Sequence, residues 1–175
     1  MLKPISACII SYNEIDRIAA CIGSLSFCDE ILVIDSGSDD GTVVLAESLG
    51  ARVLYRKFDG FRSQKQFAVE QAAHDWILAL DADEVVSETL RAEILAEQAG
   101  GFVRCSGYRF PRCDFYHGRF LRHGNFYPHH VLRLFDLRHS GWHGDRAIDE
   151  RMLNAGQTRR LRGDLWLLDG LQAPT

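Results

Sequence analysis

The chain has 175 residues, of which 46% are hydrophobic and 25% are charged, and its formal net charge is −4. This is the composition of an ordinary globular domain, and no apolar run approaches the roughly 20 residues that a membrane-spanning helix requires. The five cysteines form no C-x-x-C pair, and the N-terminal residues do not resemble a signal peptide. We therefore expect a single domain over residues 1–175, in a reducing cytoplasmic setting, with its thiols used as small core residues.

The charges are distributed unevenly along the chain. Residues 1–100 carry 8 Lys or Arg against 17 Asp or Glu, whereas residues 101–175 carry 12 against 7. The two halves are therefore expected to face different partners. A net-acidic chain without an RNA-binding signature argues against nucleic acid as one of them.

Short apolar runs and amphipathic segments alternate through the first 100 residues. The apolar runs predict strands at 5–10, 31–34, 52–56 and 76–80. Helical spacing and capping residues predict helices that begin at Asn13, that extend from Ser38 to Leu49 and from Ser63 to Ala73, and that run from Ser87 to Gly100. This alternation predicts βαβ units and a mostly parallel sheet. Further strands are predicted at 105–110 and 130–136.

Polar residues follow three of the predicted strands. They are Ser11-Tyr12-Asn13, Asp35-Ser36 and Asp81-Ala82-Asp83. Parallel sheets bind ligands beyond the carboxyl ends of their strands, so these residues are expected to converge on one site. The D-x-D suits Mg²⁺ or Mn²⁺, which would bridge a diphosphate. The alternative is a solvated loop whose acids cap the next helix.

Four blocks resemble family 2 glycosyltransferases with the GT-A fold. They are "CIISYNE" (8–14), "ILVIDSGSDDGT" (31–42), "GFRSQKQFA" (60–68) and "ILALDADE" (77–84). A later stretch, "FYHGRFLRHGNFYPHHVLRLFD" (115–136), is similar to the bacterial lipopolysaccharide-core β-1,4-glucosyltransferase branch. The resemblance covers about residues 5–150. It implies an α/β, Rossmann-like sheet flanked by helices, with a nucleotide-sugar-binding half (1–100) and an acceptor-side half (101–175) that is incomplete.

The resemblance also implies roles for individual residues. It implies donor binding by Tyr12, Asn13, Glu14, Asp35, Ser36, Gln64, Lys65 and Asp81, with Asp83 as the direct metal ligand. Many relatives have a second Asp at the position of Ser36, so recognition of the base is expected to differ. Glu150 matches the catalytic base, with Asp149 beside it where relatives have His. The basic second half offers contacts to acceptor phosphates or to an anionic membrane through six arginines: Arg109, Arg112, Arg119, Arg122, Arg133 and Arg138. The acceptor or phosphate contacts predicted individually are Arg109, Arg122, His123 and Arg133.

The resemblance implies an inverting transfer from a nucleotide-diphosphate sugar, most simply a UDP-sugar, to a glycolipid or oligosaccharide acceptor of the lipopolysaccharide-core type. It also implies a cytoplasmic enzyme of the bacterial cell envelope, peripheral on the inner face of the inner membrane. The C-terminal "RRLRGDLWLLDGLQAPT" matches nothing in these relatives, so a shortened domain that binds donor without turnover is the main alternative. A haloacid-dehalogenase-type phosphatase with Asp81 as nucleophile is a second, although its nucleophile strand should open the domain.

Overall fold

The computed structural model describes residues 2–124, 127–142, 152–154 and 156–168. In chain order the strands and helices are β1 (Ile5–Ser11), α1 (Ile18–Gly23), β2 (Glu30–Asp35), α2 (Thr42–Ser48), β3 (Arg52–Tyr55), α3 (Phe61–Gln71), β4 (Trp76–Asp81), β5 (Glu84–Val86), α4 (Glu88–Ala99), β6 (Gly107–Tyr116), β7 (Arg119–Phe120), β8 (His129–Asp136), β9 (Ser140–Trp142), β10 (Met152–Asn154), β11 (Thr158–Arg160) and β12 (Leu165–Leu168). A short 3-10 helix, Leu137–His139, links β8 to β9. None of the helices within these ranges has the length and apolar character that crossing a membrane requires.

A ten-stranded sheet organises the described part of the chain, with the order β3-β2-β1-β4-β8-β6-β12-β5, and β7 and β11 also pair with β6. Strands β9 and β10 form a separate two-stranded sheet. The first four strands of the larger sheet run parallel, as the alternating sequence predicts. Strand β8 is antiparallel to both β4 and β6, so β6 runs in the same direction as β4. The predicted mostly parallel sheet with flanking helices is therefore confirmed, and the basic second half extends the same sheet.

Both faces of the central strands are buried. In β4, Trp76, Leu78 and Leu80 join one apolar cluster with α1 and α4, whereas Ile77 and Ala79 join a second cluster with α3. Alternate side chains of a strand point to opposite faces, so covering both faces produces the uninterrupted apolar runs of the sequence. Three of the five free thiols, those of Cys8, Cys21 and Cys113, are buried, which confirms their use as core residues.

The predicted helix starts are partly wrong. Asn13 does not cap a helix: it has a left-handed φ of 53°, and α1 begins only at Ile18. The second helix begins at Thr42 rather than Ser38, because the Asp40 carboxylate accepts hydrogen bonds from the Thr42 N–H and hydroxyl and keeps the preceding residues in a turn. The Ser87 cap is confirmed, since its Oγ accepts from the Leu90 N–H at 3.2 Å.

The described part of the C-terminal run without a match in the resembling family, residues 159–168, joins the sheet. Strand β12 lies between β6 and β5, parallel to the former and antiparallel to the latter. Leu165 and Leu168, the two ends of this strand, are buried, and so is Leu161 in the preceding segment. The preceding turn is fastened to α4, because the Glu93 carboxylate accepts the N–H groups of Arg162 and Gly163 at 2.9 and 2.8 Å. These residues therefore complete the core.

Gly163 packs so closely against α4 that no side chain fits. A Cβ at this position would lie 2.3 Å from the Leu90 backbone nitrogen. We predict that Gly163→Ala lowers the free energy of unfolding by about 3 kcal/mol, because the turn must move away from the helix. Gly23→Ala is the matched control: its Cβ would meet nothing within 4 Å, and the change should stabilise α1 slightly. Urea unfolding measures both, and equal stabilities would contradict this packing.

Candidate active site

A cleft of about 520 Å³ opens at the carboxyl ends of β1, β2 and β4. Seven of the residues singled out from the sequence line it: Tyr12, Glu14, Ser36, Gln64, Lys65, Asp81 and Asp83. They come from the loop after β1, the end of β2, the first turns of α3 and the β4–β5 connection. The strands β1, β2 and β4 run parallel, so the polar residues that follow them meet at one edge of the sheet, as predicted.

The loop after β1 is held against the loop after β2 by reciprocal hydrogen bonds. The Asn13 N–H donates to the Ser38 hydroxyl at 2.9 Å, and the Asn13 Oδ1 accepts from the Asp39 N–H at 3.0 Å. The Glu14 N–H donates to the Thr42 hydroxyl at 2.9 Å. Asn13 thus shapes the rim of the cleft, and its side chain is not part of the lining.

The Asp35 side chain accepts hydrogen bonds from the loop that follows it. It is 3% exposed, its Oδ2 accepts the N–H groups of Gly37 and Ser38 at 2.8 Å, and its Oδ1 accepts the Ser38 hydroxyl. The next residue, Ser36, reaches the cleft, where its hydroxyl accepts a hydrogen bond from the Gln64 amide at 2.9 Å. Asp35 therefore stabilises the loop after β2, whereas Ser36 and Gln64 line the cleft.

The three acids after β4 have different surroundings. Asp81 lies between two cations, with Lys65 Nζ at 3.1 Å from its Oδ1 and Arg133 Nη2 at 3.0 Å from its Oδ2. Glu84 is fully buried, pairs with the same Arg133 nitrogen at 2.8 Å and accepts the Asp81 N–H at 3.0 Å. These four side chains form one network, which we call the β4 charge cluster.

Asp83 stands apart from the β4 charge cluster. Its Oδ1 is buried, and no hydrogen-bond donor within the described ranges reaches it. Burial raises the pKa of Asp83, and the neighbouring charges of Asp81 and Glu14 raise it further. A nearby cation would stabilise the ionised form of this side chain.

The pKa values of the other two acids reflect how well they are paired. Burial alone would raise the pKa of Asp81, but Arg133 and Lys65 outweigh it, and the pKa is lowered. For Glu84, burial outweighs the attraction of Arg133 and the pKa is raised. Asp81 is therefore a carboxylate whose charge is already balanced, which leaves Asp83 as the acid that needs a further cation.

These residues fit a divalent cation. Mg²⁺ and Mn²⁺ favour carboxylate oxygens, and Mg²⁺ usually takes only one or two of them from protein, with phosphate and water as the other ligands. Across the described ranges no group of three or more His, Cys, Asp or Glu side chains is arranged as a complete metal cage. Asp83 is the side chain that would hold the ion, and the remaining ligands would come from the bound substrate and water.

The structure gives the predicted acceptor residues different surroundings. Arg133 is 7% exposed, and its guanidinium pairs with two carboxylates of the β4 charge cluster. The structure thus gives Arg133 a role in the fold, and its predicted contact with the acceptor stays a prediction. Arg122 pairs with Asp164 at 3.1 Å and lies over the Phe120 ring. Arg109 and His123 lie outside the cleft. Glu150 and Asp149, the predicted catalytic acids, fall outside the described residues.

The sequence analysis missed three lining residues, Phe58, Phe61 and Leu167, and it singled out a fourth, Arg112, only as one of six arginines of the basic half. Phe58 and Phe61 form an edge-to-face pair, 5.0 Å between ring centroids, and both are about half exposed. Arg112 and Leu167 enter the cleft from β6 and β12. The aromatic pair could have been found from its position at the start of α3, whereas Leu167 depends on the unexpected strand β12.

Arg133 should be the least replaceable cation of the site. We predict that Arg133→Met lowers the free energy of unfolding at neutral pH by about 3–5 kcal/mol, because the fully buried Glu84 loses its counter-charge and the half-buried Asp81 keeps only Lys65. The loss should shrink in acid, where protonated carboxyls need no cation, and Arg133→Met with Glu84→Leu should recover part of it. Arg52→Met, which breaks the exposed Arg52–Glu30 pair, is the control and should cost about 1 kcal/mol or less. Similar losses in the two single variants, by chemical unfolding, would contradict the cluster's role.

Comparisons with known proteins agree with this geometry. A lipopolysaccharide core biosynthesis glycosyltransferase, LpsC of Rhizobium meliloti, is 40% identical over 114 residues, 62% of this chain and 42% of that protein. An uncharacterized glycosyltransferase of Rickettsia bellii is 47% identical over 95 residues, 54% of this chain and 32% of that protein. The chain therefore spans about a third to two fifths of the curated relatives it matches.

Solved structures share the fold. Staphylococcus aureus TarS, in complex with UDP, superposes with a TM-score of 0.53 at 19% identity, over 66% of this chain and 37% of that one. Glucosyl-3-phosphoglycerate synthase from Mycobacterium tuberculosis, in complex with Mn²⁺ and UDP, gives 0.51 at 21% identity, over 63% and 44%. These likenesses identify the GT-A fold. The phosphatase alternative is thereby removed, since the family model for glycosyl transferase family 2 matches residues 6–152. The chain belongs to glycosyl transferase family 2.

Proposed function

We propose that this chain binds a UDP-sugar in the cleft at the end of β4 and transfers the sugar, with inversion, to a glycolipid or oligosaccharide acceptor of the lipopolysaccharide-core type. The observation that carries the proposal is the contrast between Asp81, whose two oxygens each face a cation, and Asp83, whose buried Oδ1 has neither a hydrogen-bond donor nor an ion-pair partner in the described structure. The relatives named above support the class of donor and acceptor.

The charge balance of the cleft supports a divalent cation. Its lining contains three carboxylates, of Glu14, Asp81 and Asp83, against the two cations Lys65 and Arg112. A nucleoside diphosphate adds more negative charge, which this lining alone would repel. A bound Mg²⁺ or Mn²⁺ would ligate the diphosphate oxygens and offset the charge that develops on the leaving UDP. Lys65 would keep Asp81 in place beneath the phosphates.

The aromatic and neutral polar residues of the cleft suit the nucleoside part of the donor. Tyr12 is 59% exposed at the rim, and the Phe58–Phe61 pair lies in the segment that begins α3. Exposed aromatic rings can stack on the base of a nucleotide. The Ser36 hydroxyl and Gln64 amide, already joined to each other, would offer neutral hydrogen-bonding groups to the nucleoside.

The metal site can be tested by Asp83→Asn. The raised pKa of Asp83 means that its ionised form costs the ligand-free protein stability as pH rises from about 4. The variant should therefore be more stable than the parent without metal at pH 7, and the difference should vanish in acid. With UDP, the Mn²⁺-dependent rise in melting temperature should be lost. Asp39→Asn, at an exposed loop position, is the control. A Mn²⁺-dependent UDP shift as large in Asp83→Asn as in the parent would exclude this site.

The catalytic base is the second element of the proposal. We assign it to Glu150, with Asp149 beside it, on the resemblance alone. A carboxylate near its usual pKa can accept the acceptor's proton as the new bond forms. Glu150→Gln should lower the rate of sugar transfer by about 10²–10⁴-fold while the UDP affinity stays unchanged. Transfer at the parent rate would move the assignment to another acid.

A shortened domain that binds donor without turnover is the second candidate, because the chain spans well under half of its curated relatives. UDP release from UDP-sugars separates the two candidates. Slow release by the parent supports the transferase, whereas tight UDP binding without any release or transfer supports the binding domain.

We propose further that the protein contacts the anionic inner face of the bacterial inner membrane through the β6–β7 hairpin. Tyr116 and Leu121 are 52% and 42% exposed there, next to the exposed Arg119. Each well-placed Arg contributes about 1 kcal/mol at such a surface, and salt weakens it. Arg119→Gln should reduce cosedimentation with anionic vesicles at low salt, and Arg91→Gln on α4 should not. Absence of binding by the parent at low salt would refute this contact.

A further inference from the structure

One cation of the cleft has no role in the fold or in the proposed donor site. Arg112 lies in the later part of β6, which runs parallel to β4 and therefore ends at the same edge of the sheet as the D-x-D. Strand β8 separates the two, so β6 lies about 10 Å from β4, on the side away from β1 and β2. Arg112 and Leu167 are the lining residues contributed from this side.

The other charged lining residues have partners or a proposed ligand. Lys65 pairs with Asp81, and Glu14 pairs with Arg17 at 2.5 Å. Asp83 is the proposed cation ligand. Arg112, by contrast, has its Nε 3.9 Å from the Asp114 Oδ1, with the two side chains 33% and 41% exposed. An exposed pair at this distance is worth about 1 kcal/mol or less, so the guanidinium is readily released to a ligand.

We propose that Arg112 binds an anionic group of the acceptor, a phosphate or a carboxylate, and that the acceptor carries this group near the hydroxyl that receives the sugar. The inference rests on the proposed function. The guanidinium presents a planar fork of donors that suits two oxygens of one oxyanion. Its position supports the acceptor rather than the donor, because the donor residues come from β1, β2 and α3, on the other side of β4.

Arg112 is also set apart from the arginines around it. Arg133 is buried between two carboxylates, and Arg122 is fixed by Asp164. Arg109, three residues earlier on the same strand, does not reach the cleft. An anion that enters the cleft from the acceptor side therefore meets Arg112, and the chain offers Arg109 as a matched control for the removal of one positive charge from β6.

The test uses sn-glycerol 3-phosphate as the anionic probe and uncharged glycerol as its control. Both are titrated against protein saturated with UDP and Mg²⁺, so that the donor phosphate sites are occupied. The parent and Arg109→Gln should bind glycerol 3-phosphate and ignore glycerol. Arg112→Gln should bind the probe at least about tenfold more weakly, which is the loss expected for one charged hydrogen-bonding partner. Its affinity for UDP with Mg²⁺ should stay within about twofold of the parent.

Three results would overturn the inference. They are unchanged probe affinity in Arg112→Gln, an equal loss in Arg109→Gln, and a loss of UDP affinity in Arg112→Gln, which would assign the residue to the donor diphosphate. Arg112→Lys should bind the probe with intermediate affinity, since it keeps the charge and loses the fork. A parent that does not bind UDP would contradict the proposed function instead, and the Arg112 comparison is then made with the probe and ligand-free protein.

Discussion

Two cations hold the carboxyl end of β4 in the conformation that lines the cleft. Lys65 from α3 and Arg133 from β8 meet at the Asp81 carboxylate, and Arg133 extends to the fully buried Glu84. A strand that ends in three acids would otherwise place uncompensated charge next to an apolar core, at a cost of several kcal/mol per ion. Because these cations balance Asp81 and Glu84, Asp83 is the acid that remains available at the cleft. The proposed metal site thus depends on ion pairs that do not touch the metal.

The same cluster connects the two halves of the chain. Arg133 is 52 residues from Asp81 in sequence, and β8 brings it there by pairing antiparallel with β4. Strand β6 then pairs with β8, and β12 fills the space between β6 and β5. The basic second half therefore supplies Arg133 to the β4 charge cluster and Arg112 to the cleft. Part of the positive charge of the second half is thus paired with acids of the first half, and other arginines, such as Arg119, lie at the surface.

The sequence was most informative where local chemistry decides the structure. The apolar runs predicted strands β1 to β4 because both faces of these strands are buried, and Ser87 was a correct cap because its bond to Leu90 is local. The prediction that Asn13 caps a helix was wrong because its side chain accepts a hydrogen bond from the Asp39 N–H, 26 residues away. The clustering of polar residues at one edge followed from the direction of the strands alone.

Long-range pairing set the limit of prediction. Arg133 read as one of many arginines in a basic stretch, and only the β4–β8 pairing reveals that it is buried with two carboxylates. Strand β12 was missed because four apolar residues in an unfamiliar tail do not show which strands they will join. Leu167 was missed for the same reason, and Arg112 was only one of six candidate arginines, since the cleft wall that these two residues form exists only once β6 and β12 are adjacent.

The different roles of Asp81, as an ion-paired side chain, and Asp83, as the metal ligand, can be tested directly. Anomalous scattering from Mn²⁺ in crystals grown with UDP would locate the ion. We predict one peak about 2.0–2.3 Å from an Asp83 oxygen, with Asp81 still paired to Lys65 and Arg133 and the other ligands supplied by phosphate and water. A Mn²⁺ ion bound directly by Asp81, with its ion pairs to Lys65 and Arg133 broken, would contradict the account, as would UDP bound in the cleft with no metal peak.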